Sequence, residues 1–155
     1  MRARPEPGQS IDHAANLSAT RSTPENEMPL VRIDVPESIP ENRARLFGEA
    51  INNAMEAVIN VPKGDKLQLV SRLPRGARNL TGSYLGIDYT EEMVVIQITL
   101  NQGRSVELKK AFYARVADDL SALGVRREDV FISLVEVPRE NWSFGNGEMQ
   151  YQPAP

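Results

Sequence analysis

The sequence predicts an α+β fold in which two βαβ repeats join into one four-stranded, mostly parallel sheet with two helices on one face. Three observations carry this expectation. Short runs rich in Val, Ile and Leu alternate with stretches of helical periodicity in the order strand, helix, strand, twice over. The two halves overlay, because the displacement that carries Val61-x-x-x-Asp65 onto Val125-x-x-x-Asp129 also carries Leu30-Val31 onto Val94-Val95. Finally, Leu30, Ile33, Leu69, Ile96, Ile98, Ile132 and Leu134 are more apolar strand residues than one helix-covered face needs, which predicts that subunits pack against each other.

Residues 1–28 carry few large apolar side chains and many small polar ones, so they are expected to form a disordered extension. From Met28 the character changes. Leu30, Val31, Ile33 and Val35, with Arg32 and Asp34 between the last three, read as a strand that Pro36 ends. Ser38-Ile39-Pro40-Glu41 has the Ser-x-x-Glu form of a capping box. Phe47, Ile51, Met55 and Val58/Ile59 follow at helical spacing, predicting a helix to about Asn60. Leu67 to Leu73 reads as the second strand, and residues 74–91 as a connection rich in Gly, Pro and Asn with a short strand near Tyr84. Met93 to Leu100 is the third main strand. Ser105 then caps a helix whose stripe is Leu108, Phe112, Val116, Leu120 and Leu123, closed by Gly124. Val130 to Val137 is the last strand. The expected organisation is thus an extension, 1–28, and one domain, 29–155, made of repeats 29–73 and 92–137 plus a C-terminal segment 138–155.

Composition narrows the chemistry. The chain has 155 residues, 41% of them apolar, enough for one domain with a core. Lys plus Arg number 18 against 21 Asp plus Glu, so there is no cationic surplus for a nucleic-acid partner. With no cysteine and the single His13 among small polar residues, thiolate zinc sites, paired-His metal sites, cysteine nucleophiles and a Ser/His/Asp triad are not expected. No metal and no cofactor are expected. No apolar run is long enough to span a bilayer and no signal peptide is legible at the N-terminus, so neither a membrane partner nor export is expected and cytoplasmic residence is. Any catalysis needs a base other than histidine.

The residues that suggest one lie in order along the chain: Met28-Pro29 ahead of the first strand, Val61-Pro62-x-x-Asp65, Gly103-Arg104-Ser105-x-Glu107-x-Lys109 opening the second helix, and Asn141-Trp142-Ser143-Phe144-Gly145-x-Gly147. Together this pattern resembles the 4-oxalocrotonate tautomerase superfamily in its long, fused-repeat form. Within that branch the motifs look like malonate semialdehyde decarboxylase and its relatives. The resemblance covers residues 29 to about 151 and implies a tautomerase-like fold assembled as a homotrimer. It also implies the chemistry. Pro29, once residues 1–28 are gone, would present a secondary amine. An α-amino group starts near pKa ~8, and an apolar pocket with nearby cations lowers it, so it can act as base or acid near neutral pH. Arg104 would hold a substrate carboxylate through two parallel donors. Asp65 would be a second catalytic group in the decarboxylase-like branch, and Trp142 and Phe144 would wall the pocket.

Two departures stand out. The decarboxylase-like relatives carry a second arginine two or three residues before the one matching Arg104, where this chain has Gln102 and Asn101. And in the sequence as it stands, the Pro29 nitrogen is a tertiary amide, whose delocalised lone pair cannot take a proton. Either translation begins at Met28, or the extension is cleaved, or the family's chemistry is absent. Three functions follow: keto-enol tautomerisation of a small 2-oxo or 2-hydroxy-enoic acid using Pro29 and Arg104; decarboxylation of a malonate-semialdehyde-type 3-oxoacid using Pro29 and Asp65; or a non-catalytic oligomeric binding protein if the extension is retained. Plain readings run beside these. Pro29 can simply start a strand, Asp65 can serve a turn, and Arg72, Arg75 and Arg78 can form a solvated basic loop.

Overall fold

The computed structural model describes residues 27–151, so the expected extension meets the described chain only at Glu27 and Met28 and otherwise lies outside it. Within that range the order is β1 (Leu30–Pro36), α1 (Glu41–Val58), β2 (Leu67–Leu73), β3 (Ser83–Tyr84), β4 (Ile87–Asp88), β5 (Val94–Asn101), α2 (Val106–Ala122) and β6 (Val130–Val137). The main sheet runs β2-β1-β5-β6. Each repeat contributes one parallel pair, β1 with β2 and β5 with β6, and the repeats join through an antiparallel β1–β5 seam. The short β3–β4 hairpin accounts for the strand expected near Tyr84.

The two helices differ at their starts. Ser105 caps α2 as expected, accepting the Leu108 N–H at 3.2 Å. At the other end Gly124, with φ +88°, allows the Gly124 and Val125 amides to fold back onto the Ser121 and Leu120 carbonyls, the Schellman closure. The capping box expected ahead of α1 does not form. Pro40 stands at its N-cap without a side-chain bond, and the Ser38 hydroxyl donates instead to Glu92, 54 residues away in the other repeat. A tertiary partner has taken the group that local pattern assigned to the helix. The helix also stops at Val58, short of Asn60, which adopts φ +59° to turn the chain.

Phe47, Ile51, Ala54 and Met55 of α1 and Phe112, Val116 and Leu120 of α2 cover one sheet face, against Val31, Ile33, Val35, Val94, Ile96, Ile98 and Leu100. Burying such side chains contributes on the order of 1.5–3 kcal/mol each. Of the seven apolar strand residues judged too many for one covered face, five lie on this covered side: Ile33, Ile96 and Ile98 are fully buried, and Ile132 and Leu134 pack at the core's edge. The opposite face is mixed: cross-strand partners share a face, and the register places Leu30, Leu69, Val95, Phe131 and Val135 there among Arg32, Asp34, Gln97, Thr99 and Ser133. Leu69 and Phe131 are 43% and 41% exposed on this single chain. Leu30 and Leu69 of the seven therefore lie on the open face, together with Val95, Phe131 and Val135.

Candidate functional site

The antiparallel seam does the work of assembly. Leu30 pairs with Thr99, so the start of β1 lies beside the end of β5, and the parallel partner Leu67 brings in the start of β2. Carried back along the same register, Pro29 lies across from Leu100, at the end of the sheet where β5 hands the chain to α2. Residues from both repeats therefore meet at one edge of the fold. The second repeat has Met93 where the first has Pro29, so each chain can build one such site.

Arg104 projects from the turn between Asn101 and Ser105, which Gly103 makes with φ +124°, a conformation that favours glycine. The turn is held from β6, where Glu136 accepts the Gly103 N–H at 3.0 Å and forms an ion pair with Lys109. The Lys109 ammonium, with the Gly103 amide adding to it, holds the Glu136 carboxyl below its ordinary value despite partial burial. The guanidinium itself is fixed from behind: Nε donates to the Ile59 carbonyl at 3.1 Å and Nη1 to the Asn101 carbonyl at 2.8 Å. Its outer edge holds a carboxylate. Glu27 Oε1 accepts from Nη1 at 2.8 Å and Oε2 from Nη2 at 2.6 Å, the bidentate arrangement that suits a guanidinium. The Asn101 N–H is the carboxylate's third donor, reaching Oε1 at 3.2 Å. Both partners are well enclosed, with side-chain exposures of 10% for Arg104 and 17% for Glu27.

Pro29 is buried at the head of β1. Asp65 lies in the turn before β2, where its own N–H donates to Pro62 and its Oδ2 accepts the Glu27 N–H at 3.2 Å. A similar contact, displaced by one residue, occurs in the second repeat, where the fully buried Asp129 accepts the Thr90 N–H at 2.7 Å and its hydroxyl at 2.6 Å. Asp65 thus has an architectural job, tying down the segment that leads into β1, whatever chemistry it also serves. Trp142 reaches the same place through Asn101, whose Oδ1 accepts the indole N–H at 2.8 Å. Phe144 stacks on Trp142 at 5.4 Å and meets Tyr151 edge-on at 5.0 Å. It is 37% exposed, so on one chain it is the outer end of an aromatic ladder rather than an enclosed wall.

Of the residues the sequence singled out, Pro29, Asp65, Arg104 and Trp142 come together at this edge, and Phe144 follows through its stack. Two others were missed. Glu27 was counted with the extension, and no local pattern distinguishes it from the other acids there. Asn101 was read only as the place of an absent arginine, whereas it positions Arg104, the carboxylate and Trp142 at once. The basic loop is taken up structurally: Arg72 donates to the Ile39 and Glu37 carbonyls, Arg78 to Glu91 and Met93, and Arg75 pairs with Glu91. No group of His, Cys, Asp and Glu suited to a metal occurs among the described residues, and none of their helices is long and apolar enough to cross a membrane.

Comparison with known proteins agrees with this architecture. The family model Tautomerase_2, described as a tautomerase enzyme, matches residues 65–145. The chain is 38% identical over 124 residues to a probable tautomerase, YusQ, of Bacillus subtilis strain 168, covering 79% of this chain and 98% of that protein. It is 31% identical to the probable tautomerase YrdN of the same organism, covering 80% and 96%. Among solved structures it resembles FG41 malonate semialdehyde decarboxylase inhibited by 3-bromopropiolate, with TM-score 0.72 and 29% identity over 79% of this chain and 93% of that one. A wild-type fused 4-OT symmetric trimer shares the fold, with TM-score 0.64 and 21% identity over 77% and 94%.

Proposed function

The chain belongs to the Tautomerase_2 family, as an enzyme of the tautomerase or decarboxylase type, and from that premise we propose that it interconverts the keto and enol forms of a small 2-oxo or 2-hydroxy-enoic acid, with Pro29 as an N-terminal amine and Arg104 as the carboxylate anchor. One observation carries the reading: the outer edge of Arg104, at the head of β1, already holds a carboxylate by two charge-assisted bonds. A substrate carboxylate in the same position would lie beside the strand that Pro29 begins. The neutral proline nitrogen takes the enol hydroxyl proton, the electrons move through C2 to C3 as the C2 carbonyl forms, and the protonated nitrogen returns the proton to C3. The amine is regenerated. With residues 1–28 present no such nitrogen exists, so the active chain begins at Pro29, and a chain that keeps them is a non-catalytic oligomer.

A second reading is favoured by the malonate semialdehyde decarboxylase structures, at 29% and 28% identity, and by Asp65 beside the segment that precedes Pro29. There the protonated amine would polarise a 3-oxo group while CO2 leaves, with Asp65 orienting the reacting groups. The experiment that separates them uses protein beginning at Pro29, assayed for ketonisation of phenylenolpyruvate and for decarboxylation of malonate semialdehyde. Pro29→Ala, which keeps an amine but alters its basicity and geometry, lowers kcat by roughly 10²- to 10⁴-fold if the proline moves the proton. Asp65→Asn is mild for ketonisation and nearly abolishes decarboxylation. A kcat for ketonisation unchanged by Pro29→Ala overturns the proposal. The apolar residues on the open face support a homotrimer, in keeping with the fused 4-OT described as a symmetric trimer.

A further inference from the structure

Glu27 spans the site. Its carboxylate takes both outer donors of Arg104 and the Asn101 amide, while its own N–H goes to Asp65, so one residue touches the anion anchor and the second acid together. Among the described residues several other acid–base pairs are exposed, Arg45–Glu41 at 67% and 81% and Arg75–Glu91 at 86% and 66%, and the enclosed Lys109–Glu136 pair braces the Gly103 turn. Exposed pairs contribute little, whereas an enclosed bidentate one is desolvated and specific. The repeat provides an internal control. The displacement that carries Asp65 onto Asp129 carries Glu27 onto Glu91, and Glu91 lies in solvent against Arg75. Tying the incoming strand to an aspartate belongs to the shared architecture; placing a carboxylate on a guanidinium does not.

We propose that Glu27 is a tethered occupant of the substrate-carboxylate site, so that a chain retaining Glu27 and Met28 is closed to carboxylate ligands by its own sequence. Loss of the residues up to Met28 then does two things in one event. It frees the Pro29 nitrogen and it empties the outer edge of Arg104. The inference rests on the reading of Arg104 as the carboxylate anchor and is independent of what the proline does. A tethered group competes at an effective concentration in the millimolar range, which is enough to exclude a small free acid of modest affinity.

The test is calorimetric titration of malonate into the full 155-residue chain, the full chain carrying Glu27→Ala, and the chain beginning at Pro29. Malonate should bind the latter two roughly tenfold or more tighter than the first, the gain expected when a competitor at about 1 mM effective concentration, with a site Kd of about 0.1 mM, is removed. Adding Arg104→Ala to the Glu27→Ala chain should abolish the gain. Equal affinity of the full chain with and without Glu27 overturns the proposal, and so does failure of both emptied forms to bind malonate. Ketonisation by the Pro29 chain is measured in parallel. If emptying the site restores malonate binding but that chain shows no ketonisation, the catalytic reading falls and the self-occupied site stands; active enzyme with no Glu27 effect gives the reverse.

Discussion

Replacing Arg104 with alanine in protein that begins at Pro29 should raise KM for an enol acid far more than it lowers kcat. The structure sets the size of the effect. Two of the guanidinium's bonds, to the Ile59 and Asn101 carbonyls, face inward and hold the side chain in place, while the outer edges of Nη1 and Nη2 face the carboxylate. Substrate binding therefore loses the outer pair. Hydrogen bonds to charged groups contribute roughly 1.5–3 kcal/mol each, and every ~1.4 kcal/mol is tenfold; with the Asn101 N–H offsetting about one of the two lost bonds, KM should rise about 10- to 150-fold. Because the carboxylate is held in both ground and transition states, kcat should change little. Arg104→Lys keeps the charge but loses the fork, and should fall between the two proteins. Phenylenolpyruvate ketonisation, followed by absorbance across a range of substrate concentrations, separates the constants. If Arg104→Ala leaves both KM and kcat unchanged while the protein remains folded, the carboxylate anchor is misassigned and Arg104 is only the residue before a helix cap.

Three further outcomes follow from the geometry. Asn101→Leu removes the acceptor of the Trp142 indole N–H, which should cost about 1–3 kcal/mol in thermal or urea unfolding; since Trp142 is the only tryptophan, its emission should shift, and an unmoved spectrum would contradict the bond. Glu136→Gln should destabilise the protein at pH 7 by roughly 1 kcal/mol. Because the folded carboxyl titrates below its unfolded value, the contribution is complete above that value, near ~4.3, and is lost as pH falls through the folded one, so the two Tm curves should converge in acid and a constant gap would contradict the ion pair. Light scattering should give three times the subunit mass, and Phe131→Lys, placing a charge on the open sheet face, should dissociate the assembly; a stable monomer of the unaltered protein would refute the trimer.

Strand periodicity and turn chemistry made most elements legible from residue order, and β2 and β6 fall on the expected residues because both are bounded by Pro, Gly or charged turns. The Ser105 cap and Gly124 closure were legible for the same local reason. What failed was whatever depended on the partner repeat. Ser38 was assigned to its own helix, but Glu92 captures its hydroxyl. Alternation in β1, β5 and β6 shows that two faces exist without saying which one the helices cover, so the seven apolar strand residues were counted together, and the structure divides them into Ile33, Ile96, Ile98, Ile132 and Leu134 on the covered face and Leu30 and Leu69 on the open one. The site divides similarly. Arg104 and Pro29 were singled out by the family resemblance, to which the place of Arg104 between a glycine turn and a helix cap added, whereas the start of a strand alone gave Pro29 only a plain reading. Their approach depends on the antiparallel β1–β5 register, which no single segment encodes. Glu27 was hidden because an acid in a polar stretch carries no periodic signal, and its partner lies 77 residues away.

The central claim is that the Pro29 nitrogen, as a free amine, moves the proton. The direct measurement is kcat for phenylenolpyruvate ketonisation by two preparations whose N-termini are verified by intact mass, one beginning at Pro29 and one retaining Met28 with Glu27→Ala so that the Arg104 site is open in both. Activity confined to the chain beginning at Pro29 is the predicted result, since an acylated proline nitrogen has no available lone pair. Equal kcat in the two preparations would contradict it and require a different base.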